Sequence, residues 1–274
     1  MPEPAVSHGT LHGGMPYLRL GTGPPLLFLP GITPHHREPR GVDRRFQLQQ
    51  LRYLAARRQV WWVNRRPGLP AHVTMEELAR DYADSVHLVR FGEPIDVVEV
   101  STGGSVALQL AADHPGLVRR LVVVSAACRL GPHGRTAQRR AAESLRAGRP
   151  RRAAASLVGT SGIGPLSGVV LGGVGWALGR AVVGDGDPDL LAMLEAEDGF
   201  DLEPRLGEIT APTLVVGGER DRFYGRDLLA RTAARIPGGT LKVYPRTGHL
   251  TTTRRDAAEA ALGFLGADAR AGDE

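Results

Sequence analysis

Short apolar runs alternate along this chain with longer segments in which apolar residues recur at helical spacing. The runs lie at 25–31, 60–64, 97–100, 121–125, 213–218 and 240–244. Their length and their bounding Gly, Pro and polar residues predict β-strands. Because the strands lack polar alternation and are separated by helical segments, they predict a mostly parallel α/β sheet with helices on both faces.

One helix start is marked especially clearly. Thr74 precedes Glu76 and Glu77, and Leu78 and Tyr82 follow at helical spacing. A hydroxyl side chain before two acidic residues is typical of a helix N-terminus. We therefore predict a helix that begins just after Thr74.

The alternation of strands and helices is interrupted between about 129 and 205. A basic helical segment at 135–152 is followed by a Gly-rich apolar stretch and then by an acidic stretch. We interpret 129–205 as a helical cap over the site, between core segments 1–128 and 206–274. The uncharged run 153–179 is long enough to consider as a membrane span, but Pro165 and the glycines dilute its hydrophobicity. We expect an apolar cap and no membrane span.

Composition sets the broad class. A chain of 274 residues with 42% hydrophobic residues fits one α/β domain with an insertion. Cys128 is the sole cysteine, so no disulfide forms within the chain. Residues 1–5 show no signal-peptide pattern, and a cytoplasmic location is the expectation. The sequence does not indicate an oligomeric state.

The net charge of +5 raises the alternative of nucleic-acid binding. Lys242 is the only lysine, and the arginines are scattered along the chain without a recognition motif. Pairs such as 57–58 and 119–120 are interpreted as solvated surfaces beside acidic neighbours. No nucleic-acid partner is expected.

The chemistry centres on Ser101, where a strand ends and a helical pattern begins after two glycines. A serine on such a turn has its hydroxyl lifted out of the sheet, beside the N–H groups of the new helix. A simple turn whose small residues only allow close packing is the alternative. A nucleophilic serine also needs a base and a carboxylate that orients this base.

Two later strands supply candidates for those roles. Asp221 follows the strand at 213–218, and His249 follows the strand at 240–244. Both lie past the carboxyl end of a strand, at the sheet edge where Ser101 falls, and ligands bind there in such sheets. Glu219 is an alternative to Asp221. His35 and His36 could face a substrate or be solvated, and they lack the partners of a metal site.

The motifs at 30–32 and 100–104, with Asp221 and His249 in order, resemble those of the α/β-hydrolase family over nearly the whole chain. The resemblance implies an α/β-hydrolase fold with a small helical cap inserted after the sixth strand. It also implies that Ser101 is the nucleophile, His249 the general base and Asp221 its orienting acid. The backbone N–H groups of Ile32 and Thr102 would form the oxyanion hole. No cofactor or metal is implied.

Glu99 departs from the family pattern, which has a small residue two positions before the nucleophile. A carboxylate on a central strand is costly unless it is paired or protonated. Glu99 is therefore a candidate modulator: it either pairs with an arginine, or marks an elbow altered for slower or different chemistry.

The predicted function is hydrolysis of a carboxylic ester, thioester or lactone of a small apolar molecule through an acyl-enzyme on Ser101. Carbon–carbon bond hydrolysis with the same residues is one alternative. A non-hydrolytic ligand-binding or biosynthetic accessory protein on the same fold is another. A membrane-associated lipase is a third, suggested by the Gly-rich cap.

Overall fold

The computed structural model describes residues 6–89 and 94–266. Its strands are β1 (Ser7–Thr10), β2 (Pro16–Leu20), β3 (Pro25–Leu29), β4 (Gln59–Val63), β5 (Ile95–Val100), β6 (Val118–Val124), β7 (Thr213–Gly218) and β8 (Gly239–Tyr244). Its α-helices are α1 (Gly41–Leu51), α2 (Met75–Val89), α3 (Thr102–Asp113), α4 (Pro132–Arg146), α5 (Pro150–Thr160), α6 (Pro165–Ala177), α7 (Gly179–Val183), α8 (Pro188–Gly199), α9 (Arg226–Arg235) and α10 (Arg255–Leu265).

All of these strands join one sheet, in the order β1-β2-β4-β3-β5-β6-β7-β8. The strands from β4 to β8 in that order pair in parallel, whereas β1 and β2 form an antiparallel edge. The sequence pattern did not predict β1 and β2, because they lack a continuous apolar run. The mostly parallel α/β class is confirmed.

Two apolar layers cover the sheet. One contains Val97 and Val123 with Leu78 of α2, Val106 of α3 and Leu229 of α9. The opposite layer contains Phe28, Val98, Trp62 and Val122 with Leu51 of α1 and Ala261 of α10. The period of two along each strand therefore sends alternate side chains into different layers of core.

The start of α2 agrees with the prediction. The backbone N–H of Thr74 donates to the Glu77 carboxylate (2.9 Å), and the backbone N–H of Glu77 donates to the Thr74 hydroxyl (3.2 Å). This reciprocal pair is a capping box, which satisfies two N–H groups that the helix leaves unpaired.

Helices α4 to α8 lie between β6 and β7, where the cap was expected. The uncharged run 153–179 is divided among α5, α6 and α7. Among the residues that the structure describes, no helix has both the length and the apolar character needed to cross a membrane.

One interpretation of the basic residues is wrong. Arg58 is buried and, together with Arg119, it pairs with the buried carboxylate of Asp96 on β5. A buried carboxylate needs such partners, because transfer out of water penalises its charge. These two arginines therefore stabilise the start of β5 and are not simply solvated.

Candidate active site

Ser101 occupies the single position between β5 and α3. Its φ of 53° and ψ of −125° lie where L-residues are rarely found, so the backbone is strained. Gly103 permits the turn, since a Cβ at this position would lie 2.5 Å from the carbonyl oxygen of Leu29. The serine is thus held on a sharp strand-to-helix elbow at the edge of the sheet.

A hydrogen-bonded chain runs from Ser101 through His249 to Asp221. The His249 Nε2 atom lies 2.9 Å from Ser101 Oγ, and Nδ1 lies 2.9 Å from Asp221 Oδ2. With its Nδ1 proton donated to the carboxylate, the imidazole presents the Nε2 lone pair to the serine hydroxyl. This arrangement can take a proton from Ser101.

The loop after β7 holds Asp221 in place. Its second carboxylate oxygen, Oδ1, accepts hydrogen bonds from the backbone N–H groups of Phe223 (2.8 Å) and Tyr224 (3.4 Å). Glu219, the alternative acid, instead accepts the backbone N–H of Arg246 (3.1 Å) on an exposed loop. The structure therefore brings Asp221, and not Glu219, to His249.

The loop after β3 reaches Ser101 from the other side. A Cβ at Gly31 would lie 3.2 Å from the Cβ of Ser101, so the loop backbone directly adjoins the serine. The buried guanidinium of Arg65 donates to the carbonyl oxygens of Pro30 (3.1 Å) and Gly31 (2.6 Å). Arg65 thereby fixes the segment that carries Ile32. Nothing in the sequence pattern singled out Arg65, which stands in an Arg-Arg pair.

Thr102 is the first residue of α3. The N–H groups of a first helical turn have no partner within the helix and point outward from its end. The predicted oxyanion donors, the backbone N–H groups of Ile32 and Thr102, thus belong to the two segments that flank Ser101.

A cavity of about 200 Å³ opens beside Ser101 and His249. Its wall is mainly apolar and includes Ile32, Phe46, Val100, Leu157, Val158, Val182, Phe223 and Leu250. The polar side chains Gln47, Gln50 and Thr252 are held by hydrogen bonds to one another or to Trp62. Within the described ranges 6–89 and 94–266, no charged Arg, Lys, Asp or Glu side chain lines this cavity.

The alpha/beta hydrolase family model matches residues 26–261. The chain belongs to this family. Solved structures agree over nearly the full length: MGS-M2, an alpha/beta hydrolase from a deep-sea metagenome library of the Medee basin, has a TM-score of 0.75 at 15% identity and covers 95% of this chain and 97% of that one. A hydrolase from Pseudomonas aeruginosa PA01 has a TM-score of 0.74 at 22% identity, covering 95% and 98%.

Among curated proteins, a 2-hydroxy-6-oxononadienedioate/2-hydroxy-6-oxononatrienedioate hydrolase of Klebsiella pneumoniae is 51% identical over 49 residues. That match covers 18% of this chain and 17% of the Klebsiella protein. The similarity to this hydrolase is therefore local, spanning less than a fifth of its length.

Glu99 is buried without the arginine partner that one of the two sequence-based alternatives expected. Its side chain is completely buried, and both carboxyl oxygens lack a hydrogen-bond partner within the part of the chain that the structure describes, so the expected arginine pairing is wrong. The oxygens lie against α3, since a Cβ at Gly104 would be 2.5 Å from each of them. Gly104 thus leaves the space that the Glu99 carboxyl group occupies.

Burial also sets the charge of Glu99. Desolvation raises the pKa of the Glu99 carboxyl well above its usual range, the backbone of Val124 offsets this only in part, and the neighbouring Glu197 raises it further. Such a shift favours the uncharged form of the carboxyl group. Burial therefore disfavours a negative charge on Glu99 beside the elbow of this alpha/beta hydrolase.

Glu197 on α8 joins the elbow to the cap. Its buried carboxylate accepts hydrogen bonds from Thr102 Oγ1 (2.7 Å) and Ser105 Oγ (3.0 Å) of α3. It also accepts from Gln138 Nε2 of α4 (2.6 Å) and from the Tyr224 hydroxyl (2.9 Å). No sequence pattern indicated this role, because Glu197 lies within a run of acidic residues that is typical of a surface helix.

His35 and His36, which follow the loop after β3, lie in different environments. His36 is buried, accepts a hydrogen bond from Arg65 Nε (3.2 Å) and donates to the Arg66 carbonyl oxygen (3.1 Å). Burial, with the nearby Arg65 charge, lowers the pKa of His36 to about 3. His35 is more exposed and lies 3.0 Å from Asp187. Neither histidine lines the cavity, and the described residues contain no His, Cys, Asp and Glu cluster that could hold a metal.

Proposed function

We propose that this alpha/beta hydrolase cleaves carboxylic esters, thioesters or lactones of small apolar molecules by way of an acyl-enzyme on Ser101. The observation that carries the proposal is the Ser101–His249–Asp221 hydrogen-bonded chain at the wall of an uncharged apolar cavity. A protein that only binds a ligand has no need of this chain of groups.

The first half-reaction of this proposal uses the hydrogen-bonded chain of Ser101, His249 and Asp221. Ser101 Oγ attacks the substrate carbonyl carbon while its proton passes to His249 Nε2, and Asp221 stabilises the resulting imidazolium. The oxyanion of the tetrahedral intermediate accepts hydrogen bonds from the backbone N–H groups of Ile32 and Thr102. His249 then gives the proton to the departing alcohol or thiol, which leaves the acyl group on Ser101.

Water completes the cycle. His249 Nε2 takes a proton from a water molecule as its oxygen attacks the acyl carbonyl carbon. Collapse of the second tetrahedral intermediate releases the carboxylic acid and returns the proton to Ser101 Oγ. The strained elbow and the fixed Arg65-bound loop require little rearrangement between these steps.

Carbon–carbon bond hydrolysis is the second candidate, favoured by the 49-residue similarity to the Klebsiella hydrolase. The name of that relative specifies a dicarboxylate substrate. A carboxylate bound away from water needs a cationic or hydrogen-bonding partner. Since no arginine or lysine lines the cavity among the described residues, its chemistry favours an uncharged ester.

A paired assay separates the two reactions. Purified protein and its Ser101→Ala variant are given p-nitrophenyl butyrate and, separately, 2-hydroxy-6-oxo-6-phenylhexa-2,4-dienoate. We expect Ser101-dependent turnover of the ester and none of the dienoate. Turnover of the dienoate alone would establish the carbon–carbon reaction, and no turnover of either would favour a binding protein.

A further inference from the structure

Helix α6 has an unusual distribution of side chains, with glycines on its inner face. A Cβ at Gly175 would lie 2.7 Å from the Ala154 carbonyl oxygen, and one at Gly168 would lie 3.1 Å from that of Gly159. The α6 backbone therefore packs directly on α5, and larger side chains are excluded from this contact.

The aliphatic side chains of α6 consequently point outward. Leu166 is 80% exposed and Val169 is 75% exposed. We call the following set the α6 outer face: Leu166, Val169, Val170, Val174, Trp176 and Leu178, all of them exposed. A helix at the surface of a globular protein normally has the opposite arrangement, with its apolar stripe toward the core. A contiguous apolar surface of this kind marks a docking site.

The segment that carries the α6 outer face is basic in sequence, although Arg146 pairs with Glu195 of α8. Between Glu143 and Asp185 the chain contains no acidic residue, but it contains Arg146, Arg149, Arg151, Arg152 and Arg180. The Arg151 guanidinium lies 4.9 Å from the centre of the Trp176 ring, which is half exposed. Arg180 is strongly exposed, with Asp185 at 3.0 Å.

We propose that the α6 outer face docks on an anionic lipid bilayer. Aliphatic side chains and a tryptophan can enter the interfacial region of the lipids while the neighbouring arginines contact their phosphate groups. A second copy of this chain is a poorer occupant, because an isologous contact brings the same arginines of both copies together.

The position of the docking face suggests the substrate class, a step that rests on the proposed function. Helix α5 packs on α6 and also supplies Leu157 and Val158 to the cavity wall. Ile163, just before α6, lies against Gly248, which precedes His249. The cavity is therefore one helix away from the bilayer, and apolar esters dissolved in lipid are the substrates that docking would supply.

The test is co-sedimentation of the full chain with vesicles of phosphatidylcholine alone or mixed with phosphatidylglycerol. We expect binding to the anionic vesicles and about 10-fold or greater loss of binding in Leu166→Glu. Arg180→Gln should weaken binding about 5-fold, the contribution of one arginine at an anionic surface. Leu88→Glu is the matched control, since Leu88 is also exposed but lies on α2; its binding should equal that of the wild type.

Two results would overturn the proposal. One is wild-type protein that stays in the supernatant with anionic vesicles. The other is a dimer in light scattering that Leu166→Glu dissociates, which would assign the face to a second copy. Labelling of Ser101 by a fluorophosphonate without vesicles should be the same in wild type and Leu166→Glu, so failure of docking is distinguishable from failure of the proposed function.

Discussion

At the scale of single residues, burial decides the charge of the groups around Ser101. Desolvation raises the pKa of Glu99, whose carboxyl oxygens have no hydrogen-bond partner among the described residues. The Asp221 carboxyl group instead contacts His249 and accepts a hydrogen bond from the backbone N–H of Phe223. The two acids therefore differ in their hydrogen-bond partners, and burial disfavours a negative charge on Glu99 beside the elbow.

The raised pKa of Glu99 gives a pH-dependent stability. Residue 99 ionises in the unfolded chain from about its usual pKa of 4.5 but only at higher pH in the folded one, so the folded protein loses stability as pH rises through this window. Glu99→Gln, which cannot ionise, removes this loss. We expect the free energy of unfolding of the variant, relative to wild type, to increase between pH 5 and pH 8 by up to about 1 kcal/mol per pH unit.

Urea unfolding of both proteins at several pH values measures this difference. A difference that stays constant across the range would show that Glu99 is ionised in the folded state. Ester hydrolysis at pH 7 should be nearly unchanged in Glu99→Gln, because the amide has nearly the same shape as the uncharged carboxyl group that burial favours.

The contact between Asp221 and His249 predicts a large effect on rate. Asp221→Asn removes the carboxylate that orients the imidazole and stabilises its charged form, and we expect kcat to fall by about 10³–10⁴-fold. Glu219→Gln is the matched control and should retain wild-type kcat. Steady-state hydrolysis of p-nitrophenyl butyrate measures both, and a larger loss in Glu219→Gln would contradict the assignment.

Sequence reasoning could indicate the position of residues that follow a strand, but it missed residues whose position depends on distant contacts. Ser101, Asp221 and His249 each follow a strand, so the sheet pattern alone brought them to one edge. Arg65 and Glu197 stand among other charged residues, and only the fold shows that they are buried. The partners of their side chains lie 27 to 95 positions away along the chain, too far for a local pattern to indicate.

At the scale of elements, the cap is attached to the core through polar groups as well as apolar packing. Glu197 of α8 accepts side-chain hydrogen bonds from α3, from α4 and from the loop that carries Tyr224. One carboxylate thus fixes the start of α3, where Thr102 lies, relative to the cap.

Replacing this carboxylate leaves its buried donors without an acceptor. We expect Glu197→Leu to lower the free energy of unfolding by about 3 kcal/mol or more, since each unsatisfied buried group costs about 1–3 kcal/mol. Glu195→Leu lies two positions earlier on α8 and removes the surface ion pair with Arg146. It should lower the free energy of unfolding by less than about 1 kcal/mol. Chemical denaturation of both variants checks the contrast; equal losses would mean that the network contributes little.

Strands and helices could be predicted where their apolar residues form a continuous run or recur at regular spacing. Buried parallel strands have continuous apolar runs and were found, but β1 and β2 lie at an antiparallel edge and have partly exposed, mixed sequences. The cap was located by the break in alternation. The sequence pattern did not predict that the glycines of α6 face α5 and its aliphatic side chains face outward. A helix that packs through glycines has no apolar stripe on its inner face.

At the scale of the whole molecule, the sheet, the cap and the three loops after β3, β7 and β8 converge on Ser101. The family is shown over residues 26–261, and the central proposal is that Ser101 is an activated nucleophile. Its neighbours His249 and Gly31 contact it from different strands, so activation depends on the complete fold.

Covalent labelling with a fluorophosphonate, followed by intact mass, tests this proposal most directly. Wild-type protein is compared with Ser101→Ala and with Ser161→Ala, since Ser161 lies in the same cavity wall but its hydroxyl donates to the Leu157 carbonyl oxygen at 3.4 Å. We predict one adduct on the wild type and on Ser161→Ala, and none on Ser101→Ala. A wild-type protein that forms no adduct, or an adduct that persists in Ser101→Ala, would contradict the assignment of Ser101 as the nucleophile.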